Sequence, residues 1–267
     1  MDMEYKILSQ VYNGNWSNGY LLQDSFNNRV FRKLFRADAR YDQVFREYLV
    51  AFSVWESGFS VPEPIDIGIC NITKRYFIDF FYLDFRPFEE STKCAHLINQ
   101  IISQIRNICP IAALNWKSYL DDQLKSFERY FEQLRGTSKE PILLKAKNKV
   151  MSVMPSVFVH GDFAPQNLAI IDNKLYFFDF QCSCVGPPLW DLSYLSACFP
   201  YDSHFVKSIA HDSINNIYWY VIFIASVRIG RMLYWRNVDS ETEIRVNVLN
   251  TWINNIELLD VIPNISS

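Results

Sequence analysis

An α+β chain of two lobes is what the sequence predicts: a small antiparallel β lobe carrying one helix, then a larger, mainly α lobe that contains a β-hairpin. Three observations predict it. The first third is rich in short runs of aromatic and branched residues, the remainder shows helical periodicity, and one compact pair of apolar runs flanks an Asp-Asn turn.

In the first third, Tyr20-Leu21-Leu22, Val30 to Phe35 and Tyr76 to Phe81 read as strands, because branched and aromatic side chains fit a half-buried pleated surface and Asn, Gly and Asp clusters bound each run. Between them, Tyr41 to Ser57 spaces Val44, Phe45, Tyr48, Leu49, Phe52 and Trp55 as one helical stripe and stops at Gly58, with Glu47 on the polar side. The texture changes near residues 84 to 92, which sets the lobes at 1–86 and 87–267. Segments at about 91–107, 112–135, 139–151, 203–236 and 242–258 are predicted helical. Among them lie the apolar runs Val157 to Val159, Leu168 to Ile171 and Lys174 to Phe178. Asp172-Asn173 between the last two is a hairpin signal.

Composition excludes several classes. The chain has 267 residues, 49% of them hydrophobic, ample for a sizeable core. A formal charge of −3 leaves no cationic excess for a polyanion, so no nucleic-acid polymer is expected as a partner. Met1-Asp2-Met3-Glu4 lacks the basic and apolar regions of a secretory signal, and no run of about 18 uncharged apolar residues occurs. A cytoplasmic protein without a membrane partner is the expectation. Of six cysteines only Cys182 and Cys184 are close, without the two-residue spacer of a redox or zinc motif, so reduced and mostly buried thiols are expected. His96, His160, His204 and His211 form no His-x-x-x-His pair for catalytic zinc.

The chemistry gathers in His160-Gly161-Asp162-Phe163-Ala164-Pro165-Gln166-Asn167 and Phe178-Asp179-Phe180-Gln181. A carboxylate before a strand, an amide five residues later and a carboxylate at the end of the return strand are brought together by hairpin pairing. Mg²⁺ takes few protein oxygens and completes its octahedron with water and phosphates, so Asn167 and Asp179 suffice as ligands. Asp162 is then free to act on a hydroxyl.

This pattern resembles the aminoglycoside phosphotransferase and choline kinase family, of protein-kinase-like fold, whose motif is His-Gly-Asp-x-x-x-x-Asn followed by an Asp-aromatic pair. Gly186-Pro187-Pro188-Leu189-Trp190-Asp191-Leu192 is similar to a further family segment, Gly-x-x-x-x-Asp-Leu. The resemblance implies transfer of a γ-phosphate from ATP or GTP, with Mg²⁺, to a hydroxyl of a small molecule. It implies that Asp162 accepts the hydroxyl proton and that Asn167 and Asp179 hold metal. His160 and Asp191 would support the loop.

In the first lobe the resemblance implies a strand cation for the phosphates, steadied by a Glu on the next helix, places that Lys33 and Glu47 fit. Arg32 is the alternative, since strand neighbours point to opposite faces, and Leu-Phe-Arg after Lys33 favours Lys33. A glycine-poor loop at 13–19 would offer Ser17 and turn amides to phosphate. The connector near Phe80, Tyr82 and Leu83 would meet the nucleotide base through its backbone.

The acceptor is less determined. Acids (Asp121, Asp122, Glu128, Asp202, Asp212, Asp239, Glu241, Glu243) suit a cationic, aminoglycoside-like compound. Aromatics such as Trp190, Tyr194, Tyr218, Trp219, Tyr234 and Trp252 suit a quaternary ammonium. A cationic acceptor is the favoured expectation. Choline, ethanolamine, an amino alcohol or a sugar are alternatives, and a non-catalytic nucleotide-binding protein of the same fold is the alternative of another class; under each reading a monomer or homodimer is expected. Gly161 in place of the usual Arg, and no Ala-Pro-Glu segment, argue against a protein kinase.

Overall fold

The computed structural model describes residues 5–13, 16–84, 86–88, 95–108, 112–202, 214–235 and 240–256. They form two compact units. One comprises Met1–Phe88, Ile108–Ala113 and Gln166–Ser183, the other Glu89–Asn107, Leu114–Pro165 and Cys184–Ser267.

The first unit is built on a five-stranded antiparallel sheet of β1 (Lys6–Asn13), β2 (Ser17–Gln23), β3 (Arg29–Phe35), β4 (Pro64–Ile69) and β5 (Tyr76–Phe81), in the order β1-β2-β3-β5-β4. Two strands go beyond the sequence reading. β1 interleaves its few apolar residues with polar ones and is bulged against β2, and β4 carries Pro64 and Gly68, both of which signal turns. Helix α1 (Tyr41–Glu56) starts where the Gln43 side chain accepts the Arg40 amide (3.3 Å).

The buried face of α1 is not the predicted one. Val44, Glu47, Val50, Ala51 and Val54 are buried, whereas Tyr41, Phe45 and Phe52 are exposed. Small and branched side chains let the helix lie close to its neighbours. The aromatics pair along the outer face instead, Tyr41 with Phe45 (5.5 Å between centroids) and Tyr48 with Phe52 (6.2 Å).

A smaller sheet completes the first unit: β6 (Arg86–Pro87), β8 (Leu168–Ile171) and β9 (Lys174–Phe177), in the order β6-β8-β9. Asp172 and Asn173 both have positive φ (49° and 62°), as a two-residue turn between right-twisted strands demands. The sequence places this hairpin in the C-terminal lobe. It clusters with the first unit because β8 pairs with β6 and the Phe177 amide donates to the Ser60 carbonyl (3.3 Å).

The second unit is mainly helical: α2 (Ala95–Ile105), α3 (Trp116–Phe131), α4 (Glu140–Met151), α5 (Trp190–Ser196), α6 (Ile214–Trp235) and α7 (Ser240–Ile256), with β7 (Val157–Val159) pairing β10 (Cys184–Gly186). Asn115 caps α3 by accepting the Lys117 amide (2.8 Å). By length and composition Ile217–Tyr234 of α6 could cross a membrane, but 72% of it is buried within the protein. It is the core helix, contacting α3, α4, α5 and α7. Of the described cysteines, all free, only Cys184 is buried; Cys70, Cys182 and Cys198 are half-buried. Cys94, Cys109, His204, His211, Asp212 and Asp239 lie outside the described residues.

The α3–α6 contact is unusually close. A Cβ on Gly230 of α6 would sit inside the van der Waals radius of the Ser126 carbonyl oxygen on α3. Phe127 and Phe223 stack beside it at 5.0 Å. Gly230→Ala therefore pushes the helices apart and is expected to lower unfolding stability by about 2–3 kcal/mol, the usual scale of core overpacking. Urea denaturation measures it, and an unchanged midpoint would show that the helices separate freely.

Candidate active site

In the first unit the parity of β3 separates its two cations. Arg32 points to one face and makes a bidentate pair with buried Asp79 on β5 (both contacts 2.7 Å), its guanidinium lying 3.9 Å from the Phe77 ring centroid. Lys33 points to the other. Its Nζ donates to Glu47 Oε1 (2.7 Å) and to Asp179 Oδ1 (2.9 Å). Of the two candidates it is thus Lys33 that meets the helix carboxylate and the carboxylate after the hairpin. Glu47 sits on the buried face of α1 for this purpose.

Burial opposes the charge on Lys33, but the Asp179 and Glu47 carboxylates outweigh it and hold the ammonium above the ordinary lysine value. Burial raises the Glu47 carboxyl, with Lys33 pulling the other way, and Glu47 Oε2 is buried without a hydrogen-bond partner.

Asp179 reaches Lys33 from a strained backbone. Its φ and ψ are 65° and 74°, the left-handed region that Asp tolerates better than most residues, and it leads into a single 3₁₀ turn, Phe180–Cys182. Phe180 anchors the turn by packing edge-on against Phe177 (5.5 Å). Arg46 on α1 donates to the Gln181 carbonyl (3.4 Å) and ties the turn to the helix. Asn167 ends a 3₁₀ turn, Pro165–Asn167, and its carbonyl accepts the Phe178 amide (2.9 Å), so the two proposed metal ligands flank the mouth of one hairpin. One amide oxygen and one carboxylate fit the hard-oxygen chemistry of Mg²⁺. Among the described residues no group of three or more His, Cys, Asp or Glu could hold a metal instead.

Ser17 is buried at the start of β2, its hydroxyl 2.6 Å from the Tyr12 hydroxyl, so a phosphate would have to compete with that bond. Gly19 gives Tyr12 room to fold over β2, since any Cβ there would strike the Tyr12 ring. Gly14 and Asn15 lie outside the described residues. Phe80 is locked in β5 between β3 and β4, and the Tyr82 amide is donated to the Arg29 carbonyl (3.3 Å). The Tyr82 amide is thus already paired within the sheet.

In the second unit, His160-Gly161-Asp162 follows β7. Asp191, buried at the start of α5, accepts the His160 amide (2.8 Å) and the Gly161 amide (3.0 Å), one on each carboxylate oxygen. Burial raises its carboxyl, opposed by His160, by those two amides and by Arg106. Gly161 has φ 83°, a left-handed turn suited to glycine. The Tyr119 hydroxyl donates to the Gly161 carbonyl and accepts the Trp190 indole N–H (3.1 Å). The fully buried His160 imidazole accepts the Asp162 amide at its Nδ1 (3.4 Å) and meets Phe163 edge-on (5.8 Å). Asp162 itself is half-buried and accepts a hydrogen bond from the Tyr194 hydroxyl.

The model of the phosphotransferase enzyme family matches residues 9–219. The chain belongs to that family. Solved structures extend the fold likeness across almost the whole phosphotransferase. Aminoglycoside phosphotransferase APH(4)-Ia, as a thermostable mutant, superposes with a TM-score of 0.69 at 11% identity, over 94% of this chain and 96% of its own. The amicoumacin kinase hAmiN, in complex with AMP-PNP, Ca²⁺ and Ami, gives 0.65 at 15% identity, over 96% and 88%. A choline/ethanolamine kinase family protein from Mesorhizobium loti gives 0.60 at 12% identity, over 98% and 90%. No curated protein sequence matches the chain.

Two features of this phosphotransferase escape a reading of its motifs. Tyr12 comes to Ser17 only through the bend of β1 over Gly19. Tyr194, read from the sequence only as one of many aromatics, comes to Asp162 through the docking of α5.

Two outcomes test the site. Lys33→Met strands Glu47 in the interior and is expected to cost about 3 kcal/mol of stability. Glu47→Leu costs less, because Asp179 still holds Lys33, and the double variant loses less than the sum, as chemical denaturation of the four proteins would show. Asp191→Ala leaves two buried amides without an acceptor, at about 1–3 kcal/mol each. Loss of turnover with nucleotide affinity retained is expected, and unaltered kinetics would mean that the loop holds itself.

Proposed function

We propose that the protein transfers the γ-phosphoryl group of a nucleoside triphosphate, ATP or GTP, to a hydroxyl of a small molecule. The observation that carries this reading is the Lys33 ammonium held between Glu47 and Asp179. Such an arrangement keeps a fixed positive charge beside a carboxylate able to take a metal, which is what a triphosphate and its cation require.

Asn167 and Asp179 are the residues that would hold Mg²⁺, whose charge would neutralise the phosphate oxygens. Lys33 donates hydrogen bonds to the phosphates while Glu47 keeps it oriented. Asp162 accepts the proton of the attacking hydroxyl as the new O–P bond forms, and the bond between the γ-phosphorus and its bridging oxygen breaks. Asp191, through the His160 and Gly161 amides, fixes the backbone on which Asp162 rides. Because catalysis of this kind is mostly positioning and charge neutralisation, small displacements of that loop are expensive.

A non-catalytic descendant of the fold is disfavoured, since each of these positions carries a side chain able to perform its role. The cationic acceptor favoured by the sequence finds little support among the described residues. Asp121, Asp122 and Glu243 are exposed, Glu128 pairs with Lys147, and Glu241 pairs with Arg245. Trp190, Tyr218 and Trp252 are buried in the core. The faces of Trp219 and Tyr234 already carry Lys145 and Arg129.

Asp162→Ala is expected to leave Mg-nucleotide affinity within about threefold and to lower turnover by roughly three orders of magnitude or more. Nucleotide consumption against a panel of alcohols measures it, and a rate equal to that of the unaltered protein would remove Asp162 from the chemistry.

A further inference from the structure

Among the described residues of the second unit, two arginines stand beside the tyrosine that bonds Asp162. Tyr194, whose hydroxyl donates to Asp162, is flanked by two arginines of α6. Arg231 places Nη1 3.4 Å from the Tyr194 hydroxyl and donates from Nη2 to Gln123 Oε1 on α3 (2.8 Å). Arg228, one turn earlier, has its guanidinium carbon 5.4 Å from the Tyr194 ring centroid and Nη1 2.9 Å from the Cys198 sulfur.

Arg228 is poorly matched where it stands. Its Nε is buried without a hydrogen-bond partner, and no ion pair of Arg228 occurs among the described residues. A thiol is a weak acceptor, and removing a guanidinium from water without a counter-charge is costly. Two like charges three residues apart on one helix add repulsion. Two guanidiniums side by side next to Tyr194, one of them with a buried Nε that has no hydrogen-bond partner, are suited to an anionic group, which planar guanidinium forks bind through paired N–H donors.

We propose that Arg228 and Arg231 bind an anionic group of the acceptor, a carboxylate or a phosphate ester, and so present its hydroxyl to Asp162. This rests on the phosphotransferase reading above. The acceptor class is then a small hydroxy acid or a phosphorylated polyol. In the reaction the hydroxyl proton passes to Asp162, the hydroxyl oxygen bonds to the γ-phosphorus, and the nucleoside diphosphate departs with the former bridging oxygen.

The test is calorimetric titration of the full chain, preloaded with Mg-AMP-PNP, by a matched series: glycerol, glycerate, glycerol 3-phosphate, choline and kanamycin. Glycerate or glycerol 3-phosphate is expected to bind with a dissociation constant in the millimolar range or below, about tenfold tighter than glycerol, choline or kanamycin. Preference between the two anions distinguishes carboxylate from phosphate. Arg231→Gln and Arg228→Met are each expected to abolish the preference for anions, with Arg228→Lys intermediate, while circular dichroism confirms that the variants fold. For any acceptor that turns over, the arginine variants should raise KM far more than they lower kcat, which a purely structural role would not produce. Tighter binding of choline or kanamycin, no anion binding at roughly 20 mM, or anion binding indifferent to both substitutions would overturn the proposal. Failure to bind Mg-AMP-PNP at all would overturn it together with the phosphotransferase reading.

Discussion

One buried ammonium organises the first unit. Lys33 has two carboxylate neighbours, one on a helix and one on a loop, and the buried one, Glu47, would not tolerate its position without that charge. Glu47 needs Lys33 in order to be buried, and this obliges α1 to turn its small-residue face inward with the acid. Asp179, in a left-handed backbone conformation, bonds the same ammonium and so ties the turn after the hairpin to β3. The parity of β3 then sends Arg32 to the opposite face, where Asp79 and Phe77 satisfy it separately. A single hydrogen-bonded cation thereby links sheet, helix and hairpin.

The second unit solves a different problem with a similar economy of means. Its reactive loop has few backbone partners of its own, and Asp191 supplies two of them from the start of α5. The Tyr119 hydroxyl adds a third at Gly161, and Trp190 secures Tyr119 in turn. Each of these groups is buried, so the loop is held by bonds that water does not contest. Rigidity of this kind suits the role proposed for Asp162, which is to be in place when a proton leaves.

Motifs within a short stretch of chain were legible because local geometry enforces them. Hairpin pairing about the Asp172-Asn173 turn brings Asn167 to the strand end beside Asp179, and Asp191 is found by its own short segment. The apolar stripe read on α1 shares only Val44 with its buried face, because periodicity alone does not say which apolar side chains let a helix approach closely, and close approach selects Val44, Ala51 and Val54 over aromatics. β1 and β4 were hidden by polar, Pro and Gly residues that edge strands accommodate. Arg228 and Arg231 carried a signal of their own, two charges in an otherwise apolar 22-residue helix. Their neighbours Tyr194 and Gln123 are contributed by segments distant in sequence, which no local pattern reveals.

Gly230 has a role beyond packing. It seats α6 against the backbone of α3 between the two arginines, and the Gln123 bond to Arg231 forms one turn away on the same contact. With the helix so held, it can neither slide nor rotate to re-aim those side chains. A descendant of this protein could acquire a different substrate preference by exchanging what stands at 228 and 231, on a scaffold that stays put. Its evolutionary freedom lies in the identity of a few side chains, and very little of it in the movement of the frame.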